Sequence, residues 1–287
     1  MRAKYFFFGF GQVAKYYIDH LIKKKKKFSF NATSRSKTSS KFFREKKYTS
    51  FKFKDYEFDK NIYYEILCSD FIIVSVPPNK CKDLVVENFG SLLSLDANKK
   101  IIYLSATSVY GNHNGKWVSE KSKLKTKTNM GKGRLGAEKS WMKLFLNYKL
   151  NLNILRLSGI YSKENNALKR LNNGPRIFIK KNNQFFSRIR VEDIARALDK
   201  VLNNNKIKGE IFNISDDLPA SNEEVTKYAA KLLNINNLSS VNSNKLQGSI
   251  KDFYKDSKKV NNLKMKKILK IKLKYPSYKE GLRDLRN

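Results

Sequence analysis

Apolar residues in this chain fall into short unbroken runs set between longer mixed stretches. Tyr5-Phe6-Phe7-Phe8, Phe71-Ile72-Ile73-Val74 and Ile101-Ile102-Tyr103-Leu104 are examples. Runs this short, rich in aromatic and β-branched residues, predict strands buried on both faces. The pattern predicts strands over 4–9, 28–33, 48–53, 71–76, 100–105, 152–158 and 210–215. Between them, apolar positions recurring at helical spacing predict helices over 12–24, 60–67, 79–93, 133–147, 192–204, 221–233 and 259–269. Strand–helix alternation of this kind predicts an α/β fold, a doubly wound parallel sheet with right-handed crossovers. Past about residue 159 the pattern turns irregular. Residues 1–160 are therefore predicted to form the core domain, rejoined by helix 192–204 and strand 210–215. Residues 161–287 are predicted to form mainly a small C-terminal α/β lobe on the substrate side.

The first run leads straight into Gly9-Phe10-Gly11-Gln12-Val13-Ala14. Gly9 permits a tight turn, Gly11 lets the backbone approach a pyrophosphate, and Ala14 allows close helix–strand packing. Main-chain NH groups over Gly9, Phe10, Gly11, Gln12 and Val13 would face the phosphates at the positive end of helix 12–24. The expected class is a Rossmann-like dinucleotide-binding core. The second strand ends in Thr33-Ser34-Arg35 and lacks the Asp or Glu that selects NAD. Arg35 can pair with a 2′-phosphate, with Thr33 or Ser34 donating to it, so the expected cofactor is NADP, with NAD as the alternative.

Composition narrows the setting. The chain has 287 residues with 60 Lys+Arg against 25 Asp+Glu, a formal charge of +35. Lysine is spread along the whole length, and only Lys23–Lys27 forms a block, at the end of the first helix where cations suit the dipole. No aromatic–basic pattern of an RNA-binding sheet accompanies it. Compositional drift accounts for the charge better than a dedicated nucleic-acid surface does, so no specific nucleic-acid partner is expected. Two cysteines, Cys68 and Cys81, fit a reducing cytoplasm. Two histidines and no clustered Cys/His exclude a multi-histidine metal site. No apolar run has the length of a membrane span, and no signal segment is read at the start.

Ser105-Ala106-Thr107-Ser108-Val109-Tyr110-Gly111 follows the strand at 101–104. Further along come Val74-Ser75-Val76-Pro77-Pro78, Leu155-Arg156-Leu157-Ser158-Gly159-Ile160-Tyr161, Arg190-Val191-Glu192-Asp193-Ile194-Ala195 and Phe212-Asn213-Ile214. In this order, together with the opening glycine turn, they resemble the extended short-chain dehydrogenase/reductase family, the NAD(P)-dependent epimerase/dehydratases acting on nucleotide-sugars. The likeness covers nearly the whole chain and is nearest to an atypical, epimerase-like branch. That branch shares a late segment read here as Ser257-Lys258-Lys259-Val260-Asn261-Asn262. The resemblance implies a cofactor wall at Val76 and Pro77, an anionic small-molecule substrate and, as in many members, the option of a homodimer.

It also implies a Tyr acid/base, a Lys four residues later and a Ser/Thr after the fifth strand. Aligned through Glu138, those positions hold Met130, Arg134 and Ala106. Arg134 keeps a cation beside the ribose but will not deprotonate. The remaining hydroxyls, Thr107, Ser108 and Tyr110, are the candidates for rebuilt chemistry. Arg188 and Arg190 are candidate ligands for a substrate phosphate or carboxylate, while Glu192 and Asp193 read as caps of the helix that follows. His113 reads as a turn residue, and Trp117 and Trp141 as core. Two functions stay open: an epimerase-like oxidoreductase with a replaced Ser-Tyr-Lys set, or a non-catalytic dinucleotide-binding sensor or scaffold.

Overall fold

The computed structural model describes residues 2–286 and is mixed α/β, with a large, mostly parallel sheet. In chain order the elements are β1 Ala3–Phe8, α1 Gln12–Lys23, β2 Phe28–Ser34, β3 Ser39–Phe43, β4 Lys46–Lys54, β5 Glu57–Phe58, α2 Asn61–Cys68, β6 Phe71–Val74, α3 Leu84–Leu93 and β7 Lys100–Ala106. Then follow β8 Trp117–Val118, α4 Asn129–Tyr148, β9 Asn151–Leu157, β10 Gly159–Tyr161, α5 Ala167–Asn173, β11 Ile177–Lys180, β12 Arg188–Arg190 and α6 Val191–Leu202. The chain closes with β13 Ile211–Ile214, α7 Asn222–Leu232, β14 Ser239–Asn242, α8 Gly248–Phe253, β15 Lys259–Val260, α9 Leu263–Leu269 and α10 Tyr278–Arg286. None of the described helices is long and apolar enough to cross a membrane.

The main sheet runs β13-β9-β7-β6-β1-β2-β4-β3, with β5 on β4. The pairs β6–β7, β1–β6, β1–β2 and β2–β4 are parallel. β1 carries β2 on one side and β6 on the other, so the order reverses beside β1. The crevice at the carboxyl end of such a reversal is where doubly wound sheets bind ligands.

The chain divides into two compact units. The first comprises 1–106, 132–156 and 195–212. Its core packs Phe6, Phe8, Ile72, Val74, Ile101 and Tyr103 against α3 and α4 residues such as Phe89 and Trp141. The all-apolar runs read from the sequence are the central strands of this unit, buried on both faces. The second unit comprises 107–131, 157–194 and 213–287. Its core joins α5, α7 and α10 through Leu168, Leu171, Val225, Ala229, Tyr278 and Leu282.

Several boundaries differ from the sequence expectation. The strand expected at 48–53 is the second arm of an antiparallel hairpin whose first arm, β3, was not predicted. β3 has no fully buried position, so it leaves no apolar stripe to read. Its turn, Arg44-Glu45, takes positive φ at both residues (49° and 62°) without Gly or Asn. The helix expected from 79 begins at Leu84, because Asn79 and Lys82 bridge to each other and Asp83 caps the helix by accepting from Val85 N and Val86 N. The helix expected from 259 begins at Leu263; Lys259 and Val260 pair instead with Trp117 and Val118. Trp141 is core as expected, whereas Trp117 is exposed.

Candidate dinucleotide site and the candidate hydroxyls

Gly9 leaves β1 with φ +89°. Its NH donates to Thr33 Oγ1 at 2.9 Å, and Ser75 Oγ donates to the carbonyls of Phe8 and Gly9 at 3.0 and 3.2 Å. The turn is thus tied to the strands on both sides of β1. A Cβ on Gly9 would lie 2.7 Å from Ser75 Oγ. Phe10 turns its ring away, onto Phe30 at 5.3 Å and against Tyr48 and Phe43 of the hairpin. Gly11 is the N-cap of α1, in extended backbone with no side-chain cap and no acid in the first turn. A Cβ there would meet no atom within 4 Å. The backbone at the start of α1 is therefore open on the side of Gly11, the side on which a helix N-terminus accepts an anion.

Thr33 is buried and engaged by Gly9, and Ser50 Oγ donates to Ser34 Oγ at 3.0 Å. Arg35 is exposed and lines a cavity of about 310 Å³ with Val76, Pro77, Asn79, Lys54 and Asp55. Sequence reading named Arg35, Val76 and Pro77 for this place. It missed Asp55 and Asn79, whose amide donates to Asp55 Oδ1 at 3.3 Å. Both sit in turns with no local motif to flag them.

Arg134 projects from α4 to the end of β7. Its Nη1 donates to the Leu104 carbonyl at 3.0 Å and to Tyr103 Oη at 3.2 Å. Burial raises the Tyr103 phenol well above its usual range, against the opposing pull of the guanidinium. One turn further along α4, Glu138 is buried beside Arg156 of β9 and Ser105 of β7. Arg156 donates to it through Nε (3.0 Å to Oε1) and Nη2 (2.7 Å to Oε2). Ser105 Oγ donates to Oε1 at 2.6 Å. Asp83, also buried, is raised by desolvation, against its two cap bonds.

In the second unit, Thr107, Ser108 and Tyr110 share one turn of 3-10 helix. Tyr110 is fully buried, and its hydroxyl donates to Asn213 Oδ1 at 2.6 Å. Asn213 is held in turn by its main-chain NH, which donates to Glu120 Oε1 at 2.8 Å, and by its Nδ2, which donates to the Asn261 carbonyl at 3.0 Å. Ser108 Oγ is shut from solvent with no hydrogen-bond partner. His113 Nε2 lies 3.2 Å from the Lys123 carbonyl; burial and Lys125 lower its pKa.

Arg188 donates through Nη1 to the carbonyls of Phe186 and Ala220, at 2.9 and 2.8 Å. Arg190 is already satisfied by protein. Its fork takes both oxygens of Glu192, Nη2 also reaches Asp284, and Nη1 donates to the Gly281 carbonyl. Arg190 is thus a brace for α10, which corrects its reading as an anion ligand. Asp193, in the first turn of α6, also accepts from Lys274 N and Tyr275 N at 2.9 and 2.8 Å, tying that segment to the helix start.

No protein-family model and no curated protein matches the chain. Solved structures do. The chain is similar to a functionally unknown conserved protein from Silicibacter pomeroyi, with TM-score 0.83 and 28% identity, over 99% of this chain and 98% of that one. It is similar to a UDP-N-acetylglucosamine 4-epimerase from Bacillus cereus, with TM-score 0.77 and 16% identity, over 99% and 98%. It is also similar to a dTDP-glucose 4,6-dehydratase from Bacillus anthracis solved with NAD, with TM-score 0.76 and 15% identity, over 100% and 96%. The fold is therefore that of the Rossmann-type sugar epimerases and dehydratases, as the sequence motifs implied.

Proposed function

We propose that the chain binds a nicotinamide dinucleotide on its first unit. The observation that carries this is the open space at Gly11, set at the uncapped start of α1 where the strand order reverses. Main-chain NH groups of Gly11, Gln12 and Val13 hold the diphosphate. Val76 and Pro77 wall the adenosine side. Arg35 meets a 2′-phosphate, and with no carboxylate at the end of β2 the preferred cofactor is NADP, with NAD second. Arg134, fixed by Leu104 and Tyr103, supplies a permanent cation in the place where the family's Lys would stand. The bound nicotinamide supplies hydride transfer.

The reading for activity is an oxidoreductase of the atypical epimerase/dehydratase-like branch, acting on a nucleotide-sugar-like anion in the cytoplasm. Met130 and Ala106 cannot handle a proton. Tyr110 supports Asn213 from within the core. Thr107 and Ser108 remain as the candidate hydroxyls, with Ser108 Oγ lacking a protein partner but shut from solvent. The absence of the Tyr and Lys favours a second reading, a dinucleotide-binding sensor without turnover.

Titration with NADPH and NADH, followed by turnover across a panel of sugar nucleotides, separates these. Binding with turnover lost in Ser108→Ala supports the enzyme. Binding without turnover supports the sensor. Failure of both dinucleotides to bind removes the proposal. In Arg35→Asp the NADPH:NADH affinity ratio should fall at least tenfold; an unchanged ratio rejects the role of Arg35.

A further inference from the structure

The second unit holds a cavity of about 200 Å³ made wholly from its own residues, between α5, α7 and α10. Two arginines, Arg170 of α5 and Arg188 of β12, line it. Neither forms an ion pair with a carboxylate among the described residues. Arg170 Nη2 donates to the Thr226 hydroxyl at 2.5 Å. Arg188 is bound only to main-chain carbonyls, those of Phe186, Ala220 and, at 3.4 Å through Nη2, Ser221. The two fully buried arginines among the described residues, by contrast, have each found acids. Arg156 takes Glu138, and Arg190 takes Glu192 and Asp284.

The rest of the lining is neutral. Asn165 and Asn222 offer amides, Tyr161 and Tyr278 offer rings and hydroxyls, and Leu282 gives an apolar end. Tyr161 is committed to the Ser277 carbonyl, and Asn222 Oδ1 accepts from Ile179 N, which leaves its amide NH₂ with no partner among the described residues. The acid whose charge bears most on Arg188 is Asp216, a side chain 1% exposed. Burial pushes Asp216 strongly toward its neutral form, and Arg170 disfavours the charge of Arg188. Two guanidinium groups facing one small space, with their natural counter-charge suppressed, are short of an anion.

The geometry points to an oxyanion subsite: the cavity takes a phosphoryl or carboxyl group, held between Arg170 and Arg188 with the Asn222 amide beside them. Guanidinium forks suit such groups because two parallel N–H donors match two oxygens. The volume admits the anionic head of a small molecule or a free phosphate ion, and excludes an entire dinucleotide. It deepens the reading of an anionic substrate without depending on the dinucleotide turn.

Inorganic phosphate and a sugar monophosphate are the probes, titrated by calorimetry against the full chain at fixed ionic strength held by chloride. Arg188 anchors main chain at 186, 220 and 221, so Arg188→Met alone risks the fold. Arg170→Met removes a fork whose one side-chain partner among the described residues is the Thr226 hydroxyl and is the decisive variant, with Lys139→Met as a charge-matched control at an exposed position of the other unit. Wild type and Lys139→Met should bind one equivalent, and Arg170→Met should bind at least tenfold more weakly. Stronger binding of the sugar phosphate marks a substrate head group; equal binding of both probes marks a free phosphate site. Equal affinity in Arg170→Met and wild type, or no saturable binding above the chloride background, overturns the subsite. Phosphate binding that survives in a protein binding neither NADPH nor NADH would defeat the dinucleotide proposal and leave this one standing.

Discussion

Glu138 and Arg156 face each other inside the first unit, with the guanidinium fork laid along both carboxylate oxygens at 2.7–3.2 Å. Ser105 closes the third side at 2.6 Å. The pair links α4, which carries Arg134, to the ends of β7 and β9. Removing one partner leaves an uncompensated buried charge, at a cost of about 3–5 kcal/mol. Urea unfolding of Glu138→Leu and Arg156→Met should show losses in that range. The double variant should lose less than either single change, since an apolar pair of similar volume carries no stranded charge. Additive losses would contradict this.

The two glycines of the opening turn should respond in opposite ways. Gly9→Ala forces a side chain into positive φ and to within 2.7 Å of Ser75 Oγ. It should lower stability by about 1–3 kcal/mol. Gly11→Val places its side chain in open space with ordinary φ, so the melting temperature should hold. Dinucleotide affinity should nevertheless fall below detection, because the proposed reading places the diphosphate in that same space. Tight binding in Gly11→Val would remove the turn from the site.

Tyr110→Phe tests whether that hydroxyl is structural. Its loss strands Asn213 Oδ1 in a buried setting and should cost about 1–3 kcal/mol in unfolding free energy. Cofactor affinity should be unaffected. Loss of turnover without loss of stability would instead restore Tyr110 to the chemistry.

Asp199 joins α6 to α1 through His20 at 3.4 Å and Lys24 at 2.5 Å. Burial acts to raise its carboxyl, but these two bonds outweigh that and hold it at about 2. A carboxyl lowered on folding contributes stability above its unfolded value near 4, and that contribution disappears as pH falls toward the folded value. Asp199→Asn should therefore be less stable than wild type at pH 6, and the gap should close between about pH 4 and 2. A gap that is constant over that window would show that the ion pair contributes nothing.

The sequence reveals what is local. The strand–turn–helix at residues 4–24 is legible because an apolar run, two glycines and an amphipathic stretch follow one another without interruption. Buried strands 71–74 and 100–106 are legible for the same reason. The first arm of the hairpin is not, because a strand without a buried face carries no period. Arg156 lay inside a quoted motif and Glu138 served to align the helix, yet nothing in their spacing shows that they touch. Arg170 escaped notice among 60 cations, and only the fold sets it beside Arg188. Arg190 read as an anion ligand because Glu192 beside it was assigned to the helix start, and Asp284, its other acid, lies 94 residues away on α10.

Phe10 stands between the two glycines, and its ring is clamped by Phe30, Phe43 and Tyr48. The bend consequently has its final shape before any guest arrives. Capture then requires no local ordering, so encounter should proceed in one kinetic phase, linear in ligand concentration. Trimming Phe43 at the hairpin tip would loosen the clamp and turn that single phase into two.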